Sequence, residues 1–327
     1  RHAAELAVDV YANHDAIRFY QQAIALSSRA RDRMPVAHDG DLAEMHERLG
    51  AILYRLTRIA EARAVYAQAL TLLPPGDVAG HVRMRRLIGN TWRDDYCYPD
   101  AMPHYAAALS LLEQAGIGPA VSDNAPDAPT QPVSNSGEVD RLWQEWIAVN
   151  LDMSLVYYWQ NRVADFERLD APLQRAVETF GTPGQQALYW QRKGNLAFRA
   201  NRCVASDEIV DWHRRSLDAV LDGGDPAEVP YSWSMLGFAL LWNGRPAAAL
   251  EPMQRSLAFA TERGDASLRA RCLTYLTIAR RQLGHVEVVE RLAAESLAVA
   301  EAAHMPEYVG TAEANRCWLA WCAGDAA

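Results

Sequence analysis

Along most of this chain apolar residues recur at three- and four-residue intervals, the period of an amphipathic helix, and stretches that do so are separated by short glycine- and proline-containing breaks. Residues 142–161, 166–180, 185–200 and 206–221 each read in this way. The two-residue alternation of a half-buried strand is not found, so the pattern predicts an all-α fold without a parallel sheet.

A second regularity is superimposed on the first. His46, Leu49, Gly50 and Leu53, followed by Ala62, Tyr66, Ala69 and Pro74, repeat in register as Arg85, Ile88, Gly89 and Trp92 with Ala101, Tyr105 and Ala108. Trp233, Leu236, Gly237 and Leu240 with Ala249 and Met253 form a third copy, and Ala16, Tyr20 and Ala23 match a second helix alone. These are the positions of the tetratricopeptide unit, in which small residues let two antiparallel helices approach and large ones fill the groove to the next pair. The sequence therefore predicts a tetratricopeptide-like α-solenoid of about seven antiparallel hairpins, the last incomplete, wound into a right-handed superhelix. Gly244, Gly284 and Gly324, spaced 40 residues apart, mark turns in the later repeats, where longer helices are expected.

One segment breaks the pattern. Residues 118–137 hold four prolines and almost nothing to bury, which predicts an exposed flexible loop. It divides the array into N-terminal hairpins over 1–117 and C-terminal hairpins over 138–327.

The run from Gly264 and Asp265 through Arg269, Arg271, Cys272 and Tyr275 to Arg280, Arg281 and Gly284 resembles a stretch of large bacterial signalling ATPases. Pro306, Glu307 and Tyr308, and the terminal segment with Trp318, Leu319, Ala320 and Trp321, share that resemblance. In those proteins a cyclase-like or DNA-binding output domain and a P-loop ATPase module precede a C-terminal tetratricopeptide region. The resemblance implies a regulatory sensor arm attached to an ATPase or output domain, and the odd, scattered cysteines read as reduced residues of a cytosolic protein. The resemblance does not extend to catalysis, because the chain has no G-x4-G-K-[ST] and no cyclase segment. A chain that begins at Arg1 and stops at Asp325, Ala326 and Ala327 is accordingly read as a piece of a longer protein.

Composition narrows the partners. Against 32 Lys and Arg stand 41 Asp and Glu, a formal charge of −9, which disfavours nucleic acid and anionic membranes. The longest apolar run, Met235 to Trp242, is far shorter than the ~20 residues that span a bilayer. Five scattered cysteines and nine dispersed histidines offer no metal-ligand spacing, and neither a metal nor another cofactor is expected. Gly181, Gly184, Gly223 and Gly224 read as turns and not as phosphate loops, so no enzymatic role is expected. Ten tryptophans, seven of them between 143 and 242, are ambiguous: Trp190 and Trp233 occupy packing positions, whereas Trp143 and Trp146 suit either a cap or an aromatic pocket.

The candidate site follows from the repeat. The second, fifth, ninth and twelfth positions of each first helix face the concave groove, and counted from Gly89 these are Arg83, Arg86, Asn90 and Arg93. Further along, the same positions supply Gln191 and Asn195, then Tyr231 and Phe238, then Arg271 and Arg281. Arg86 followed by Asn90 resembles the carboxylate clamp of peptide-binding tetratricopeptide domains, with Asn195 as the second asparagine. The alternative is that these arginines are solvated or pair with Asp94 and Asp95. Two functions stay open: a scaffold or sensor that takes a peptide, an acidic protein segment or a small ligand in its groove, and an architectural module for homo-oligomeric self-association.

Overall fold

A glycine at the eighth position of the first helix decides how closely each hairpin closes. In the computed structural model, which describes residues 13–31, 39–119 and 136–324, a Cβ on Gly50 would stand 2.5 Å from the Tyr66 ring, and one on Gly89 2.7 Å from Tyr105. Gly237 meets Met253 at 2.5 Å in the same way, and Gly194 meets His213 at 2.7 Å. At each seam a side chain on the glycine would displace the residue facing it from the second helix.

All secondary structure among the described residues is helical. These residues pack into two compact units that meet in sequence between Gln160 and Asn161. The first contains α1 (Asn13–Arg31), α2 (Asp39–Arg55), α3 (Ile59–Leu72), α4 (Val78–Asp94), α5 (Tyr98–Gln114) and α6 (Ser136–Trp159). The second contains α7 (Val163–Phe180), α8 (Pro183–Ala200), α9 (Asp207–Leu221), α10 (Val229–Trp242), α11 (Pro246–Arg263), α12 (Ala266–Gln282), α13 (Val286–Ala302) and α14 (Pro306–Ala323). Antiparallel pairs α2/α3 and α4/α5 build the first unit, and α8/α9, α10/α11 and α12/α13 the second. Most of the proline-rich segment, residues 120–135, lies outside the described residues.

The turns repeat as closely as the seams do. After α2, α4, α10 and α12 one residue takes a left-handed conformation: Thr57, Tyr96, Gly244 and Gly284. The next residue donates to the carbonyl five positions back, as in Arg58 to Leu53, Cys97 to Trp92, Arg245 to Leu240 and His285 to Arg280, at 2.9–3.0 Å. This closes the helix end with a shared bond pattern. Glycine takes that position without strain, whereas Thr57 and Tyr96 carry a cost of about 1–2 kcal/mol each. Starts are set by side chains: Asp77 caps α4, Ser206 caps α9, Asp265 caps α12, and Thr182 with Gln185 forms a reciprocal box at α8.

Helix lengths are similar in both units. The pairs α2/α3 and α4/α5 have 17 and 14, then 17 and 17 residues; α10/α11 and α12/α13 have 14 and 18, then 17 and 17. The later helices are therefore not lengthened relative to the earlier ones, and the glycine spacing expected to mark them is nearly that between Gly50 and Gly89.

Candidate ligand-binding faces

In the first unit the four groove positions of α4 come together, and they come together around carboxylates of the same chain. Asp152 of α6 accepts from Arg86 Nη1 at 3.0 Å, Asn90 Nδ2 at 2.9 Å and Arg93 Nη1 at 3.1 Å. Glu47 of α2 takes Arg83 Nε and Nη2 at 2.7 and 3.0 Å. Glu145 of α6 lies 3.6 Å from both Arg83 and Arg86. Asn90 also accepts from Tyr105 Oη at 2.6 Å, which ties the network to the α4/α5 seam. Asp94, one of the neighbours considered from sequence, does pair with Arg93 at 2.7 Å; Asp95 pairs instead with Arg63 of α3. Arg86 is thus a paired side chain with 19% exposure and not one that projects into solvent.

The two α6 carboxylates differ. Burial would raise the Asp152 carboxyl, but Arg86 and Arg93 outweigh it and hold the group below the usual carboxylate range. At Glu145 burial prevails, and the guanidinium groups offset only part of the rise. Correspondingly Arg86 Nε and Glu145 Oε2 are buried without a hydrogen bond.

The second unit has a different inner surface. Phe198 of α8, Phe238 of α10 and Tyr275 of α12 meet edge to face with centroids 5.0 Å apart at each step, and Tyr308 of α14 continues the series at 6.5 Å. The first three rings are only partly buried, so their faces form part of the surface. Arg271 stands over Tyr231 at 5.5 Å, and no carboxylate among the described residues pairs with it. Two clefts flank Tyr231. One, of about 430 Å³, is lined by Gln191 and Leu188 of α8; the other, of about 290 Å³, by Arg271, Arg263 and the start of α12. Gln191 is 7% exposed, yet its amide has no hydrogen-bond partner among the described residues. Of the remaining sequence candidates, Asn195 is half-buried on α8, and Arg281 bonds Asn315 Oδ1 of α14 at 3.0 Å beside Trp318.

Other features are structural. Trp146 is buried in edge contact with Trp143, 5.7 Å away. Lys193 of α8 pairs with Asp170 of α7 at 2.7 Å, and the rings of Tyr189, Trp190 and Trp212 lie 5.1–5.7 Å from its ammonium. His213 fills the seat that Tyr66 and Tyr105 occupy in the first unit, and burial depresses its pKa to about 4. No group of three His, Cys, Asp or Glu side chains suited to a metal lies together among the described residues. No described helix is long and apolar enough to cross a membrane.

No family model matches the chain, and no curated protein matches it in sequence. Solved structures do match in fold. A signal transduction ATPase with numerous domains, carrying a tetratricopeptide repeat sensor, from Pyrococcus horikoshii superposes over 98% of this chain with TM-score 0.66 at 12% identity. The match spans 44% of that protein. BtubC from P. vanneervenii matches over 77% of this chain and 92% of its own, with TM-score 0.53 at 15% identity. The chain has the fold of a tetratricopeptide-type helical repeat array.

Proposed function

We propose that this chain is a non-catalytic sensor and scaffold that binds a peptide, protein segment or small ligand on the inner face of its repeats and thereby regulates an attached signalling ATPase or output domain. The observation that carries the reading is the inner face of the second unit, where half-buried aromatic rings, an arginine without a carboxylate partner among the described residues and a cleft-lining amide coincide. The Pyrococcus protein, whose match takes in nearly the whole of this chain and which carries a tetratricopeptide repeat sensor, supports the signalling context.

On this reading Gln191, Asn195, Tyr231, Phe238, Arg271 and Arg281 form the receptive face. Arg83, Arg86, Asn90 and Arg93 bind an acidic ligand only in exchange for Asp152, and otherwise hold α6 against α4. The test uses the full-length protein. Its reading frame should encode a P-loop module, and Phe238→Ala should abolish ligand-dependent change in nucleotide turnover while basal turnover persists. A reading frame without such a module, or a response indifferent to Phe238, would sink the regulatory role.

A further inference from the structure

Three inner helices of the second unit carry one distinctive group each. Gln191 on α8 presents an amide that is 7% exposed and unpaired. Tyr231 on α10 lines both clefts. Arg271 on α12 is a half-buried cation held by an aromatic ring and by no carboxylate. A cleft-lining amide with free donor and acceptor matches a peptide bond, which offers one of each. An arginine fork without a counter-charge matches a carboxylate.

The charges around the two clefts give the arrangement a direction. At the cleft of Gln191 one cation, Arg192, faces two acids, Asp225 and Glu228, which leaves the lining net negative. At the other cleft, which Glu228 also lines, Asp265 is engaged in capping α12, where its Oδ1 accepts from the Leu268 amide at 2.9 Å, and Arg263 joins Arg271 as a second cation, so the lining is balanced and receives a carboxylate more readily. The surface also continues past Arg271, because Tyr275 reaches Tyr308 on α14. A bound chain would run on beyond the arginine, which calls for an acidic side chain within the segment and not for a chain end.

Resting on the scaffold reading above, we propose that the inner face of the second unit binds an extended peptide segment, its backbone held by Gln191 across the Tyr231 ring and one aspartate or glutamate side chain paired with Arg271. Packed helices stand about 8–10 Å apart, so two steps from α8 to α12 cover roughly 16–20 Å. At about 3.3 Å per extended residue, five to six residues of ligand bridge the two anchors.

The test uses two pools of hexapeptides, acetylated and amidated so that neither end is charged. One carries a single glutamate among randomised uncharged residues, and the other has glutamine in its place. Immobilised protein should enrich the glutamate pool, and the best binders are resynthesised and titrated by fluorescence anisotropy. Arg271→Gln should weaken them about 10-fold or more, as expected for a lost charge-assisted bond; Arg271→Lys should recover part of that. Gln191→Ala should weaken glutamate and glutamine peptides alike, and a second glutamate placed at the Asp225 side should weaken binding further. Helical circular dichroism of each variant separates lost binding from lost fold. Binders that tolerate Arg271→Gln in a folded protein overturn this inference, and if the same peptides are lost on Phe238→Ala the scaffold reading survives it. Enrichment of neither pool over the Phe238→Ala protein overturns both.

Discussion

The two units use arginine on their inner helices in opposite ways. In the first, Arg83, Arg86 and Arg93 are matched by Glu47, Glu145 and Asp152 of the same chain, so the charges hold helices together. In the second, Arg271 sits over a tyrosine with no carboxylate beside it, and aromatic rings replace the ion-pair network. The difference teaches that a groove position in a repeat array does not by itself make a binding residue. What decides is whether a neighbouring repeat has already supplied the partner.

Replacing Asp152 should give the largest effect. Asp152→Ala leaves Arg86 and Arg93, 19% and 9% exposed, without their shared carboxylate. Removal of one partner from a buried pair costs about 3–5 kcal/mol, which should appear as a lower urea midpoint. An unchanged midpoint would mean that the first unit's arginines are as free as Arg271, and the contrast would fail.

Acid should distinguish the units next. His213 is held neutral by burial with a pKa of about 4, below its ordinary 6.5. Between those values the unfolded chain binds a proton that the folded one does not, so stability should fall as pH drops from about 6.5 to 4, by roughly 3 kcal/mol. Thermal melts of His213→Phe should lack that portion of the pH dependence. Asp152, with its pKa depressed by Arg86 and Arg93, acts lower. Its contribution is complete above the unfolded value of about 3.9 and is lost as pH falls through the folded value.

The seams should show a smaller graded effect. A Cβ at Gly89 would meet Tyr105, whose hydroxyl is fixed to Asn90, so Gly89→Ala should cost about 1–2 kcal/mol. Gly237→Ala meets the flexible Met253 side chain and should cost less by chemical denaturation. Smallest of all, Arg271→Gln should change stability by about 1 kcal/mol or less, since the contact with Tyr231 is lost but no folded-state ion pair is. A large loss there would make Arg271 a structural residue like Arg93.

The hairpins were legible because Gly50 with Tyr66, Gly89 with Tyr105 and Gly237 with Met253 keep one spacing across three seams. Gly194 was legible as the seam glycine of α8, but its hairpin does not join the in-register copies, because its partner is His213 and the intervening turn, with Arg202 and Cys203 both left-handed, is longer. The inner faces were legible only in part. Periodicity places Arg86 and Arg93 on one face of α4, but their partners lie on α6, beyond the proline-rich segment. One signal was present: Glu145 and Asp152 share the seven-residue spacing of Arg86 and Arg93, so two turns of acid complement two turns of base. Tyr275 and Tyr308 went unassigned because they stand off the counted groove positions and join the face only through the ring series.

The cage around Lys193 has one further consequence, because Lys193 is the chain's single lysine. With 14% exposure, an ion pair to Asp170 and three rings around it, the side-chain amine is withheld from reagents and proteases while α7, α8 and α9 stay packed. A lysine-specific endoproteinase has one bond to cut, before Gly194, and reaches it only when that packing opens. The rate of a single cleavage therefore measures how often this part of the repeat array breathes, with no label added to the protein.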